Sequence, residues 1–383
     1  MHRLITEIVN NLNSNKKCLA VFLDLAKALD TVPHNELLGV LERCGIRGIA
    51  LQLFSSYLSE RPQMVKLNNV LSNKQRIKIG IPQGTVLGPV LFIMYINSML
   101  KLDIDGLTVS YADDTAMVIS GDTWDDVKSK DVNNLIKIKN WLQTYKLTLN
   151  LVKTNYIAFS LSNANRPQYH SIVIDNQSIE ETSSTKYLGV VIDRFLKWQP
   201  HIDYVSSKIR KLIHKFYLSR EFLNRKTLII IYKAFVESII RYGILVWGGL
   251  YNNSLYKLNI IKKYILKIIF KKNRLYPSHL LFDADIFNIR SIYIFTICSH
   301  IHTRPDLKPL VDHTYETRTK CNKHVKLPIS TNCLNLRYVN YFGPRLYNLL
   351  PGDIRNCNKT KRFKLLIKKV ISENLHQFEG FFG

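Results

Sequence analysis

With 383 residues, 46% of them hydrophobic, the chain can bury a sizeable core and divide into two or three domains, which excludes a disordered tail. Six cysteines (Cys18, Cys44, Cys298, Cys321, Cys333 and Cys357), none in a CxxC pair, exclude a disulfide scaffold. Charge is the strongest compositional feature: residues 1–160 carry 18 basic and 14 acidic side chains, whereas residues 161–383 carry 36 and 15, a net of +21. An excess of that size calls for a polyanionic partner, nucleic acid or an anionic membrane surface; a basic surface that is merely solvated suits a smaller one.

The amino-terminal MHRLITEIVNNLNSNKK lacks the apolar stretch of a secretory signal, so an intracellular protein is expected. Residues 18–25 read as an apolar strand carrying Asp24 near its end. A helix follows, with Pro33 in its first turn, Leu37, Leu38 and Leu41 on one face and Gly45 placed to end it. Residues 49–59 give a second helix, and QMVKLNN with QRIKIG reads as a polar-faced hairpin. In GIPQGTVLGPVLFIMYIN, Gly80, Pro82 and Gly84 mark an irregular loop that opens a strongly apolar helix near Thr85. Glycines there allow close backbone approach by a ligand, although an ordinary loop before a core helix reads the same way. The apolar run of residues 85–100 contains Pro89 and is short for a membrane span, so a buried helix is expected.

VSYADDTAMVIS (109–120) alternates with a period near two around Asp113 and Asp114, the pattern of a tight hairpin. A solvated Asp-bearing turn explains the pair locally. Residues 123–145 read as a helix, LTLNLVKTNYIAFS as strand, turn, strand with Lys153 at the turn, and KYLGVVID (186–193) as one short strand. From about residue 200 the pattern is helical and basic, with Lys and Arg interleaved with Tyr, Phe and Ile; residues 276–383 read as mixed, loop-rich and basic. Among His313, Cys321, His324 and Cys333 only the Cys321-x2-His324 spacing is familiar from zinc sites.

Like charges placed side by side in an apolar run repel and resist burial. If the strand ending at Asp24 and the Asp113–Asp114 hairpin are neighbours in one antiparallel sheet, three carboxylates meet at its edge. Oxygen ligands of that kind suit Mg2+, and a pair of such ions can hold the attacking and leaving oxygens of an in-line phosphoryl transfer.

The segments FLDLAKALDTVPH, GIPQGTVLGPVLFIMYIN, YADDTA, WLQTYKLTLNLVKTNYIAFS and YLGVVID, in this order, resemble the successive palm motifs of the reverse transcriptases of non-LTR retrotransposons, most like the insect jockey group. RYGILVWG, HTYETRTK and FGPRLYNLLPGDIR are similar to the thumb and tail of the same polymerases. The resemblance implies an α+β right-hand polymerase palm, an antiparallel sheet packed on helices, followed by a helical thumb. It implies residues 1–17 as a fingers remnant, 18–195 as palm with primer-grip hairpin, 196–275 as basic thumb and 276–383 as basic tail. It also implies RNA-directed DNA synthesis with two Mg2+, an RNA template, a DNA primer and dNTPs as partners, no membrane, and action in the nucleus at a target site.

Residue by residue, Asp24 and Asp113 match the metal-binding aspartates, Asp114 the third carboxylate, and the Leu25 backbone a neighbour of the second ion. Pro82, Gln83 and Gly84 match the loop against the nascent base pair and template. Lys153 matches the lysine that protonates departing pyrophosphate, unless it is a solvated turn lysine. Tyr187, Leu188 and Gly189 match the hairpin that grips the primer end. Leu29 departs from the Phe or Tyr that blocks a ribose 2′-hydroxyl, so looser exclusion of ribonucleotides is expected. Only 23 residues precede Asp24, where the family has fingers and an endonuclease, so the expectation is a 5′-truncated copy with little processive synthesis. The rival readings are a catalytically silent relic that binds nucleic acid and a structural or membrane-surface protein; the aromatic-basic interleaving fits nucleic acid better than a membrane.

Overall fold

The chain opens on helix α1 (His2–Asn13), whose Leu4, Ile5, Ile8, Val9 and Leu12 recur at helical spacing and are buried. Strand β1 (Lys17–Leu23) follows, buried from Cys18 to Leu23, the continuous apolar run of a strand covered on both faces. This computed structural model describes the chain apart from residues 60, 163–166, 168–170, 175–176, 283–285, 308–323, 330–334, 381 and 383. Two compact units result, Asn15–Leu188 and, separately, Met1–Ser14 with Gly189–Gly383.

In the first unit, helices α2 (His34–Arg43) and α3 (Ile49–Leu58) lead into a nested hairpin. Its strands are β2 (Pro62–Gln63), β3 (Lys66–Leu67), β4 (Val70–Leu71) and β5 (Gln75–Arg76); β2 pairs with β5 and β3 with β4. Asn68 and Asn69 both take positive φ at the tip, the geometry of a tight two-residue turn for which Asn is suited. Helix α4 (Leu87–Ile96), strands β6 (Leu107–Tyr111) and β7 (Asp114–Gly121), and helix α5 (Trp124–Thr144) come next. Thr123 caps α5, its side chain accepting from Asp126 N. Strands β8 (Asn155–Phe159), β9 (Ser171–Ile174), β10 (Gln177–Glu181) and β11 (Ser184–Tyr187) complete the unit.

The sheet runs β6-β7-β1-β8-β10-β9 and is antiparallel except at β8 and β10. Leu19, Val21 and Leu23 of β1 share one core with Leu37 and Leu41 of α2, Leu91 and Tyr95 of α4, and Leu135 and Ile138 of α5. That packing of helices on a sheet is the expected palm.

The second unit contains β12 (Val190–Asp193) and helices α6 (Gln199–Arg210), α7 (Ile213–Ser219) and α8 (Arg225–Tyr232). A single π turn, Lys233–Glu237, joins α8 to α9 (Ser238–Arg241), and α10 (Ile244–Trp247) and α11 (Asn252–Ile269) follow. Helices α12 (Ile289–Thr303), α13 (Val339–Asn348), α14 (Gly352–Arg355) and α15 (Thr360–Glu379) make its remainder. Asp193 accepts from the backbone N of Trp198 at 2.6 Å and of Lys197 at 3.0 Å, and the Trp198 indole donates to the Tyr338 hydroxyl at 3.1 Å, so residues far apart in sequence share one core.

Several sequence expectations are corrected. Residues 186–193 are not one strand: Leu188 and Gly189 both take positive φ and break it. The first arm of 147–160 makes only an isolated bridge, Leu25 to Leu149. From about residue 200 the chain is helical as expected, with α6 ending at Arg210 and Gly243, whose φ is +65°, separating α9 from α10. The chain divides into compact units at 14/15 and 188/189, with α1 in the second unit. The described part of the tail is mostly helical, because α12 and α15 bury Ile292, Ile297, Phe363 and Ile367 at helical spacing. Of the cysteine-histidine set, His313, Cys321 and Cys333 lie outside the described residues.

Candidate active site

Asp24 stands one residue past β1, and the register of β1 against β7 sets Leu23 opposite Thr115. Continued by one residue, that register brings Asp24 beside Asp114, the first residue of β7. Asp113 precedes it in a two-residue loop, since Tyr111 pairs directly with Asp114. Ala112 takes the left-handed φ of +54° in that loop, and Ser110 donates to its carbonyl at 3.0 Å while accepting from Thr115 Oγ1 at 3.1 Å. The hairpin is thus closed by its own hydroxyls, leaving Asp113 and Asp114 exposed.

The electrostatics report the same convergence. Partial burial, then Asp113, then Asp24 raise the proton affinity of the Asp114 carboxyl above its ordinary value. Three acids that repel one another at a strand edge form a hard-oxygen donor set, which is the chemistry a divalent cation relieves. Among the described residues no three His, Cys, Asp or Glu side chains form a metal-holding group by themselves. Magnesium needs no such cage: one or two carboxylates, waters and substrate phosphates complete its shell.

The turn bearing Lys153 is tied to Asp24 through the backbone. Asn150 N donates to Asp24 O at 2.8 Å, Asp24 N donates to Thr154 Oγ1 at 3.2 Å, and Lys153 N donates to Asn150 O at 3.2 Å. Leu25 is buried and bridged to Leu149. Asn150 and Thr154 were missed in the sequence; their signal is polar residues flanking Lys153 inside an apolar alternation.

The loop 79–84 is fastened to the segment after Asp24. Gly80 N donates to Val32 O and Ile81 N to Leu29 O, both at 2.7 Å, and His34 Nε2 lies 2.8 Å from Gly80 O. Gln83 Nε2 donates to Asp30 Oδ1 at 2.8 Å, Pro82 is half-buried, and Gly84 is open at φ +75°. Leu29 packs half-buried against the core.

Tyr187 is 4% exposed, its ring 5.4 Å from that of Phe22. Its hydroxyl lies 3.3 Å from the carbonyls of both Val109 and Asp114, and burial, then Asp114, push its pKa up to about 12. The hydroxyl therefore stays a donor under the acidic hairpin. Leu188 and Gly189 follow it with left-handed φ of +45° and +77°.

Carboxylates gathered at the strand ends of a helix-backed sheet, behind a glycine-bearing loop, define the palm of a right-hand polymerase. Residues 2–192 match the family described as reverse transcriptase (RNA-dependent DNA polymerase), and over that stretch the chain belongs to it. It is similar to the Drosophila melanogaster protein described as "Probable RNA-directed DNA polymerase from transposon X-element", 25% identical over 276 residues, 70% of this chain and 30% of that one. The RNA-directed DNA polymerase from mobile element jockey of the same species is 25% identical over 279 residues, again 70% and 30%. Apo telomerase from Candida tropicalis aligns with a TM-score of 0.40 at 16% identity, over 70% of this chain and 44% of that one. The chain spans about 30% of the length of the curated relatives it matches.

Proposed function

We propose that the palm carries out RNA-directed DNA synthesis, with an RNA template, a DNA primer and deoxynucleoside triphosphates. The observation that carries this reading is the meeting of Asp24 with Asp113 and Asp114 across β1 and β7. The primer 3′-hydroxyl attacks the α-phosphorus, the bond to the β-phosphate oxygen breaks, and pyrophosphate leaves. Asp24, Asp113 and Asp114, with the Leu25 backbone, would hold two Mg2+. Bound there, the ions would stabilise negative charge on the attacking and leaving oxygens. Lys153, on a turn fixed to Asp24, delivers a proton to departing pyrophosphate. Pro82, Gln83 and Gly84 position the nascent base pair, with Gln83 held by Asp30. Leu29 leaves the sugar pocket less obstructed at the 2′ position than an aromatic ring would, and Leu188 and Gly189 guide the primer end.

Extension of a labelled DNA primer on an RNA template by purified protein tests the reading. Mg2+-dependent extension that Asp113→Ala abolishes is expected. Wild-type extension no greater than that of Asp113→Ala overturns it.

A further inference from the structure

A cavity of about 290 Å³ lies in the first unit between the C-terminal half of α5 and residues 147–151, with Ile174 of β9 also lining it. That volume is at the lower end of the range of small-molecule sites. Its two walls are held in different ways. Leu142 and Leu147 are buried, and Leu147 N donates to Leu142 O at 2.8 Å, so the turn after α5 is locked onto its helix. The Trp141 and Tyr145 rings stack at 4.4 Å, and the Tyr95 hydroxyl donates to Tyr145 O at 2.5 Å. That wall cannot shift without disturbing the close-packed core.

The opposite wall is looser. Leu149 and Leu151 are half-buried on a segment outside every strand, and its ladder contact is the isolated bridge of Leu149 to Leu25. Val152 and Lys153, next along the chain, are exposed. The same segment holds the backbone around Asp24: Ala26 N donates to Thr148 O at 2.9 Å, and Asn150 N donates to Asp24 O at 2.8 Å. Three consecutive wall residues therefore fasten three consecutive residues that begin at Asp24. A wall secured by a few hydrogen bonds near the surface opens at low cost, so an occupant that prefers the opened form populates it.

We propose that this cavity is a ligand site for a small, neutral, bicyclic heteroaromatic molecule of the indole class, whose binding displaces residues 148–151 and with them the backbone at Asp24. Leucine and isoleucine side chains suit a flat apolar body. Gln143 and Thr148 are exposed at the cavity, and among the described residues neither side chain has a hydrogen-bond partner, which suits one ring N–H. A helix about 10–12 Å across does not fit such a volume, which selects a small molecule over a protein partner. The consequence for synthesis rests on the catalytic reading above; the binding and the displacement do not.

The probe is 5-fluoroindole, its binding to the full chain followed by fluorine NMR. Saturable binding with a dissociation constant on the order of 0.1–1 mM is expected for a ligand of about ten non-hydrogen atoms. Gln143→Trp and Thr148→Trp, both at exposed positions that border the cavity, should each weaken it at least ~10-fold, with circular dichroism melts matching wild type. Hydrogen exchange read by mass spectrometry should speed up at least ~3-fold in peptides covering Ala26 and Asn150 when the probe saturates, and stay unchanged in β7. Absence of saturable binding, full binding by both tryptophan variants, or saturation that leaves exchange at Ala26 and Asn150 unchanged would overturn the proposal. In primer extension, saturating probe should lower kcat at least ~5-fold with KM for the nucleotide unchanged; inhibition competitive with the nucleotide would also overturn it. Failure of the catalytic reading registers separately, as wild-type extension no greater than that of Asp113→Ala, while the binding and exchange results stand on their own.

Discussion

At the residue scale, the Tyr187 hydroxyl bridges two carbonyls, one of them that of Asp114. Tyr187→Phe keeps the ring on Phe22 and removes only this brace. We expect a stability loss of about 1 kcal/mol, in line with one buried hydrogen bond, and about a tenfold lower kcat with KM for the nucleotide nearly unchanged. A change confined to KM would mean that the hydroxyl serves the substrate and not the hairpin. Asp131 poses the opposite problem: it is fully buried on α5, neither carboxylate oxygen has a hydrogen-bond partner among the described residues, and burial pushes its pKa up to about 8. The folded value lies above the ordinary 3.8, so the fold favours the protonated acid. Stability from this group is complete below about pH 4 and is lost as pH rises to about 8. Thermal melts across that range should show Asp131→Asn gaining on wild type with rising pH, by several degrees at the alkaline end. A constant difference between the two would remove the argument.

The elements divide into those legible from their own pattern and those decided by tertiary contact. β1, β7, α2, α4 and α5 were readable from their apolar runs and spacing, and Asp24, Asp113 and Asp114 stood out as charges in apolar runs. Gly189 was not readable as a break, since the middle of KYLGVVID is mostly apolar; its left-handed φ of +77° and the approach of Tyr242, 3.2 Å from where a Cβ would sit, both favour glycine there. The grouping of α1 with a helical unit nearly two hundred residues away was likewise invisible, because no local pattern records which apolar stripe meets which. The attachment of loop 79–84 belongs to this second class and carries a consequence. Gly80 has φ +94°, and an added Cβ would stand 2.9 Å from the Asp30 carbonyl oxygen, which is backbone and cannot yield cheaply. Gly80→Ala should cost about 1–3 kcal/mol in urea denaturation and weaken extension more than it weakens hybrid binding. Wild-type stability in that variant would show that the loop does not need this close approach.

Over the whole molecule, residues 161–383 carry a net charge of +21, which is what a phosphate-binding surface would need. Lys208, Arg210, Lys211 and Lys215 are exposed on and after α6. Lys262 is not part of that surface: it is fully buried, its amine donating to the Phe287 carbonyl, and burial pulls its pKa down to about 7. Reversing Lys208, Arg210, Lys211 and Lys215 should flatten the dependence of hybrid affinity on log salt by about one unit for each phosphate no longer neutralised, whereas Lys262→Met should leave that slope unchanged. Equal slopes in all three proteins would deprive the basic helices of their role.

The central claim is that Asp24, Asp113 and Asp114 form one divalent-cation site across β1 and β7. Iron-mediated hydroxyl-radical cleavage measures this most directly, with Fe2+ standing in for Mg2+ on the full chain bound to a primed RNA template and nucleotide. The account predicts paired backbone cuts near residues 24–25 and 112–114, both suppressed by excess Mg2+ and both lost in Asp24→Asn. Cuts at only one of the two segments, or paired cuts that persist in Asp24→Asn, would contradict it.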